Sequence, residues 1–286
     1  MANIDMQGRV CLITGANNGI GKVTALELAK RGATVIMVSR NRAKGEAAQA
    51  EVKAQSGNDK VDLLTADMSS LASVRQLSQE VHEKYPQLHV LLNNAGGMNN
   101  KREVSVDGIE RTFATNYVGP FLLTNLLLDL LKASAPARII NVSSTAHKMG
   151  SIDFDDLQSE KRYRAFPVYG TSKLALTLFT YELARRLEGT GVTVNNLHPG
   201  VVGTSFFGDG LLGRLSKLVM LTPEKGAQTS IYLATSPEVD NVTGKYFDKS
   251  KATPSSKASY DEQAGKRLWQ VTEQLIEQKS NQGVTA

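Results

Sequence analysis

A single doubly wound α/β domain, a parallel sheet of about seven strands with helices on both faces and one further helix at the C-terminus, is the fold class that the sequence predicts. Two observations predict it. Short β-branched runs alternate with longer segments whose apolar residues recur at three- and four-residue steps, from the first residues to about position 250. The first strand-to-helix junction is also a tight glycine-rich turn, TGANNGIGK at 14–22. The 286 residues, 41% hydrophobic and 21% charged, with 24 Gly and 8 Pro, allow a large core and exclude a disordered or collagen-like chain. No composition break divides residues 1–250, so they form one domain, with 251–286 a loop, helix and tail appended to it.

Taken in order, the strands are expected at 10–14, 34–38, 61–64, 89–92, 138–142, 192–197 and 245–248, all but the last rich in Val, Ile or Leu. Strand and helix alternate, which implies parallel pairing and a sheet buried on both faces. The single cysteine, Cys11, lies inside VCLI; it has no internal disulfide partner and is expected as a small core hydrophobe. Helices are expected at 21–30, 43–55, 71–84, 108–132, 169–187 and 224–234. KSKATPSSKAS, from 249, reads as a surface loop leading to an amphipathic helix from 260 to about 278.

The formal charge is +5, from 33 Lys and Arg against 28 Asp and Glu, and it is spread without a block of like charges. It argues against a nucleic-acid partner and suits an anionic ligand. No apolar run approaches the ~20 residues of a membrane span, and MANIDMQGRV lacks the order of a secretory signal, so a cytoplasmic address is expected.

The glycine turn carries the first functional signal. Gly15 can take a turn conformation closed to other residues, Gly19 lets backbone amides approach a pyrophosphate, and Gly21 allows close helix–strand packing; Asn17, Asn18 and Ile20 complete the turn. The N-terminus of the following helix then faces the phosphates. Any βα turn can use a glycine or two for steric reasons alone, but a strand before and a helix after favour a dinucleotide, hence a Rossmann-type domain. The spacing G-x-x-x-G-x-G differs from the dehydrogenase fingerprint G-x-G-x-x-G. The second strand ends in Ser39-Arg40, where an NAD-binding chain usually carries an acid for the ribose 2′-hydroxyl. A guanidinium there can hold a 2′-phosphate through paired, charge-assisted hydrogen bonds, and Asn41, Arg42 and Lys44 follow closely; NADP(H) is favoured.

With the acid after the third strand at Asp67, NNAG at 93–96, Asn116 in ATNYVG, NVSS at 141–144, YGTSK at 169–173 and HPGVVGT at 198–204, the chain resembles the short-chain dehydrogenase/reductase family over nearly its whole length. NYVGPFLLTNLLL, DFDDLQSEKRY, YGTSKLALTLF and SPEVDNVTGKYF are most similar to the retinol dehydrogenase-like branch. That resemblance implies hydride transfer between NADP(H) and a lipophilic alcohol or aldehyde. It implies that Asp67 accepts a hydrogen bond from the adenine amino group with Met68 lining the ring, that Asn94, Ala95 and Gly96 pass the cofactor, and that Pro199, Gly200, Val202 and Thr204 bind its nicotinamide end. Many members of the branch are membrane-bound; this chain, starting at its first strand, is expected to lack their anchor.

Tyr169 and Lys173, four residues apart on a helical pattern, emerge on one face. An adjacent ammonium and the positive nicotinamide ring both favour the phenolate and are expected to bring the phenol, ordinarily near ~10, closer to working pH, so that Tyr169 can exchange the proton that accompanies hydride transfer. The family pattern puts the substrate-orienting hydroxyl at Ser144, with Ser143 the competing choice because 145–168 is enlarged. Asn116 resembles the family's fourth catalytic residue; a polar side chain there can bend the helix or bind water linking Lys173 to solvent, or simply be a satisfied core asparagine.

His82, His89, His147 and His198 fall in different elements without HExxH or CxxC, so no metal site is expected, and His147 reads as a loop residue rather than a general base. The segment 203–222, with Phe206, Phe207 and Leu211, is placed to close over an apolar substrate; equally, it can pack on the core, on a second subunit of a homo-oligomer or on a membrane surface. Two other functions stay open: an idle NADP(H)-binding sensor or interaction module, against which the set Ser144, Tyr169, Lys173 and Asn116 argues, and an NADPH-dependent reductase of a carbon–carbon double bond.

Overall fold

The computed structural model describes residues 5–200 and 221–282. Among them the sheet has eight strands in the order β3-β2-β1-β4-β5-β6-β7-β8: β1 Val10–Thr14, β2 Thr34–Ser39, β3 Val61–Thr65, β4 Val90–Asn93, β5 Ala137–Val142, β6 Val192–His198, β7 Tyr246–Asp248 and β8 Lys251–Thr253. All pair in parallel except β7 with β8. The chain runs outward from β1 through β2 to β3, then restarts beside β1 with β4. This reversal opens a crevice at the carboxyl ends of β1 and β4, where ligands bind in such sheets.

Alternate strand residues divide between two cores. Leu12, Ile36, Leu91 and Ile139 face one, with Phe121, Phe179 and Trp269; Cys11, Ile13, Val35, Met37 and Ile140 face the other, with Leu28 and Phe247. Cys11 is fully buried, which pushes its thiol up to about 12 and leaves it a packing residue. The helices α1 Gly19–Lys30, α2 Arg42–Ser56, α3 Leu71–Lys84, α7 Ala165–Arg186, α8 Pro223–Thr235 and α9 Glu262–Gln282 cover the two faces. The C-terminal helix joins the first core: Trp269 packs on Phe121 and Phe179 with ring centroids 4.8 and 5.6 Å away, and Tyr117 shares a 2.8 Å hydrogen bond with Thr272.

Two expectations are corrected. The single helix over 108–132 is instead α4 Arg111–Phe113, a π-helical stretch Ala114–Val118, α5 Gly119–Leu126 and α6 Leu128–Ala133. Pro120 offers no N–H to the carbonyl of Asn116, and Gly119 bonds back to Ala114, so the wide turn centres on Asn116. The loop from 249 contains β8, paired with β7 through a turn at Lys249 and Ser250, whose φ values are 49° and 60°. A three-residue exposed edge strand after a turn without glycine leaves no pattern to read.

A polar row crosses the buried sheet. Asn93 Nδ2 donates to Thr124 Oγ1 (3.0 Å) and to Asn141 Oδ1 (2.8 Å), and Asn141 Nδ2 donates to Thr180 Oγ1 (2.9 Å). It ties β4, β5, α5 and α7, the elements that carry the site, in one register. Asn141→Leu is expected to strand a donor of Asn93 and lower the unfolding free energy by about 1–3 kcal/mol in urea titration with an unchanged m-value; an unmoved midpoint contradicts this.

Candidate active site

The glycine turn is built against the end of β4. Gly15 and Gly19 have φ of +67° and +54°. A Cβ on Gly15 would lie 2.9 Å from Ala95 Cα, and one on Gly21 would lie 2.5 Å from Gly15 O and 2.6 Å from Asn94 Nδ2. Asn94 Nδ2 donates to the carbonyls of Thr14 (2.8 Å) and Gly15 (3.2 Å), while Thr14 Oγ1 accepts from the amides of Asn94 and Ala95 at 3.0 Å each. The turn is therefore preset, and Asn18 caps α1 without a side-chain bond, leaving the first-turn amides to the crevice.

A cleft of ≈ 660 Å³ runs from this turn in both directions. Toward β2 and β3 its wall holds Asn17, Asn18, Gly19, Ile20, Arg40, Asn41, Lys44, Asp67 and Met68; toward β4, β5 and α7 it holds Asn94, Ala95, Gly96, Ser143, Tyr169, Lys173 and Pro199. Arg40 is exposed and makes no ion pair among the described residues. Asn41 Oδ1 caps α2 by accepting from Lys44 N (2.9 Å), and Asp67 Oδ1 accepts from Ser69 N (2.9 Å) and Ser69 Oγ (2.7 Å). Ser39, expected on the cofactor, is buried and its hydroxyl donates to Asn41 O (2.9 Å), so it shapes the turn that presents Arg40. Met98, Asn99, Arg111, Thr112 and Thr115 also line the wall; they sit in and after an irregular stretch whose sequence has no periodicity.

At the other end four segments converge. Tyr169 and Lys173 lie on one face of α7, with Lys173 Nζ 5.7 Å from the Tyr169 ring centroid and donating to Val142 O (2.8 Å). The Ser144 hydroxyl hydrogen-bonds the Tyr169 phenol. Ser143, by contrast, is buried against α7, its hydroxyl 3.2 Å from Lys173 O and 3.1 Å from Thr177 Oγ1. Asn116 Oδ1 accepts from Gly97 N (2.8 Å), and its Nδ2 donates to Gly97 O (2.8 Å) and Ser172 Oγ (2.9 Å). Both amide hydrogens are taken, so only oxygen lone pairs are left for the expected water.

Burial dominates the electrostatics of this pair. Burial pushes the Tyr169 phenol up to about 12, partly offset by the Ser144 bond, and burial drives the Lys173 ammonium down to about 8. Desolvation disfavours the phenolate, so in the protein alone Tyr169 is a neutral acid at working pH.

His147 is not a loop residue: it is fully buried in the short 3-10 helix Thr145–Met149. His82 pairs with Asp129 on the surface, and no group of three metal-ligating side chains occurs among the described residues. Burial lowers His89, His147 and His198 below the ordinary imidazole range, so the unfolded chain binds more protons as pH falls. Stability is accordingly full above about pH 6.5 and declines below it, with exposed His82, raised by Ser78 O and Asp129, opposing weakly. Melting curves between about pH 7 and pH 5 should shift downward; an invariant Tm contradicts this.

Pro199 reaches the cleft, and Gly200 follows it with φ +82°. Val202, Thr204 and the apolar residues Phe206, Phe207 and Leu211 lie outside the described residues. No helix among the described residues is long and apolar enough to cross a membrane.

Residues 9–210 match the short chain dehydrogenase family model. Human (Homo sapiens) retinol dehydrogenase 13 is 45% identical over 280 residues, covering 94% of this chain and 85% of the relative. Human retinol dehydrogenase 14 is 45% identical, covering 95% and 87%. Among solved structures, an uncharacterized protein from Mycobacterium paratuberculosis superposes with TM-score 0.79 at 34% identity over 96% of this chain and 95% of that one. A Pseudomonas aeruginosa RhlG/NADP active-site complex superposes with TM-score 0.70 at 28% identity over 85% and 95%.

Proposed function

Since the chain belongs to the short-chain dehydrogenase family, in its retinol dehydrogenase-like branch, and is an oxidoreductase of alcohol or carbonyl groups, we propose that it works with NADP(H) on a lipophilic alcohol, aldehyde or ketone. The observation that carries the reading is one cleft with the Tyr169 phenol, bonded to Ser144, at one end and at the other the Arg40 guanidinium, which makes no ion pair among the described residues. The preset glycine turn, whose packing admits no Cβ at Gly15 or Gly21, fits a dinucleotide diphosphate. Arg40 and Lys44 would hold a 2′-phosphate, Asp67 the adenine, and Asn94 to Gly96 with Lys173 the nicotinamide half. When bound, such a cofactor supplies or accepts the hydride.

The chain's own residues manage the proton. Tyr169, held neutral by burial, donates its phenolic proton to the substrate oxygen during reduction and takes it back during oxidation. Ser144, bonded to that phenol, aligns the same oxygen. Lys173, anchored on Val142 O, places an ammonium behind the phenolate that donation leaves, where a low-dielectric surround strengthens the attraction.

Support for an apolar substrate comes from Phe166, 43% exposed with its ring 6.5 Å from that of Tyr169, and from Met149, 69% exposed just past Ser144. The retinol named in the relatives is itself lipophilic. Lengthening a straight-chain aldehyde is expected to lower KM about threefold to fourfold per newly buried methylene, from ~0.8 kcal/mol each. Phe166→Ala should raise KM for the long aldehydes with NADPH affinity unchanged. A KM independent of chain length sinks the lipophilic reading.

A further inference from the structure

The mechanism above leaves His147 without a role, yet its surroundings specify its state. Its Nδ1 lies 2.5 Å from the carbonyl oxygen of Ser144, and its Nε2 lies 3.0 Å from the backbone N of Ser256. A carbonyl only accepts and a backbone N–H only donates. The two partners therefore select one neutral tautomer, with Nδ1 carrying the proton and Nε2 bare.

The ring is packed on Tyr246, centroids 4.9 Å apart, and the charged or titratable groups acting on this pocket are Lys148, His198 and Asp248. His198 Nδ1 faces the next amide, that of Thr145, at 3.4 Å. The Ser144 hydroxyl itself accepts from Ala146 N (3.2 Å) while it meets the Tyr169 phenol. Within this turn the serine is held through Ala146 N and His147, and His147 fastens the turn to the C-terminal segment.

We infer that His147 is a positioning residue for the reaction: clamped between the Ser144 carbonyl and the Ser256 amide, it holds the Ser144 hydroxyl on Tyr169 and makes the C-terminal segment part of the active-site scaffold. The inference rests on Ser144 as the hydroxyl that orients the substrate.

The test compares full-length variants that keep one half of the clamp. In His147→Asn the side-chain amide nitrogen occupies the place of Nδ1 and can still donate to Ser144 O; in His147→Gln the oxygen reaches the place of Nε2 and can accept from Ser256 but leaves the carbonyl unheld. His147→Asn should keep kcat within about threefold and His147→Gln should lose about tenfold, with NADPH Kd unchanged in both and Tm lowered alike. A loss that tracks Tm rather than the retained donor makes the residue merely structural and overturns the inference. Ser144→Ala separates the two claims: full turnover there defeats the reading of the serine, whereas its collapse beside an active His147→Gln defeats the positioning role alone.

Should both histidine variants fail to fold, Ser256→Pro removes the N–H, together with a hydroxyl that has no hydrogen-bond partner among the described residues, at a residue whose φ of −70° proline accepts. With Nε2 released, kcat should fall as pH drops through the histidine range while the parent stays flat. Identical profiles overturn the inference. Histidine ¹⁵N NMR of the parent should show Nδ1 protonated, and the opposite tautomer is equally fatal.

Discussion

Tyr169→Phe should abolish nearly all turnover while leaving NADPH affinity within about twofold of the parent. The substitution removes one oxygen from a residue 8% exposed, so the ring still fills its place in α7. What goes is the proton donor and the partner of Ser144. General acid catalysis by a positioned group contributes roughly 10²- to 10⁴-fold, and that is the expected fall in kcat for aldehyde reduction. Lys173 cannot substitute, because its Nζ is directed at Val142 O behind the phenol. Steady-state rates with a saturating long-chain aldehyde, beside cofactor fluorescence titration, separate the two effects. Comparable kcat in variant and parent contradicts the assigned acid.

Arg40→Ala should cost roughly tenfold to a hundredfold in preference for NADPH over NADH, the size of one charge-assisted hydrogen bond. The argument is geometric. Ser39 is turned inward to bond Asn41 O, so the first polar side chain presented to the cleft at the end of β2 is the Arg40 guanidinium, and no carboxylate of the described residues pairs with it. Lys44, on the same wall one turn into α2, keeps part of the preference. Titration of both cofactors into parent and variant measures it; equal affinities in the parent contradict the assignment of Arg40.

Much of the fold was legible because a sheet buried on both faces demands long apolar β-branched runs, and VCLIT, TVIMVS and ARIINV are such runs. The break at Asn116 was half legible: a polar residue in a helix is visible, but the π turn needs Pro120 four residues on and Gly119 packed under Met68 O. In the site, Tyr169 and Lys173 follow from helical spacing. Ser144 over Ser143 does not; it depends on which hydroxyl the turn after β5 sends toward α7, and Ser143 is the one held by Thr177. The acidity of Tyr169 in the protein alone is set by desolvation, which depends on tertiary burial that spacing does not encode. The clamp on His147 closes through Ser256, 109 residues away in sequence, and no local pattern announces it.

The central claim is that one cleft binds NADP(H) at Arg40 and moves the proton through Tyr169. Its most direct test is the absorbance of reduced nicotinamide when purified protein meets a long-chain aldehyde with NADPH or, separately, NADH. The account predicts steady consumption of NADPH, slower use of NADH at matched subsaturating concentrations, and none above background with Tyr169→Phe. Equal use of both cofactors, or consumption that survives loss of the phenol, would contradict it.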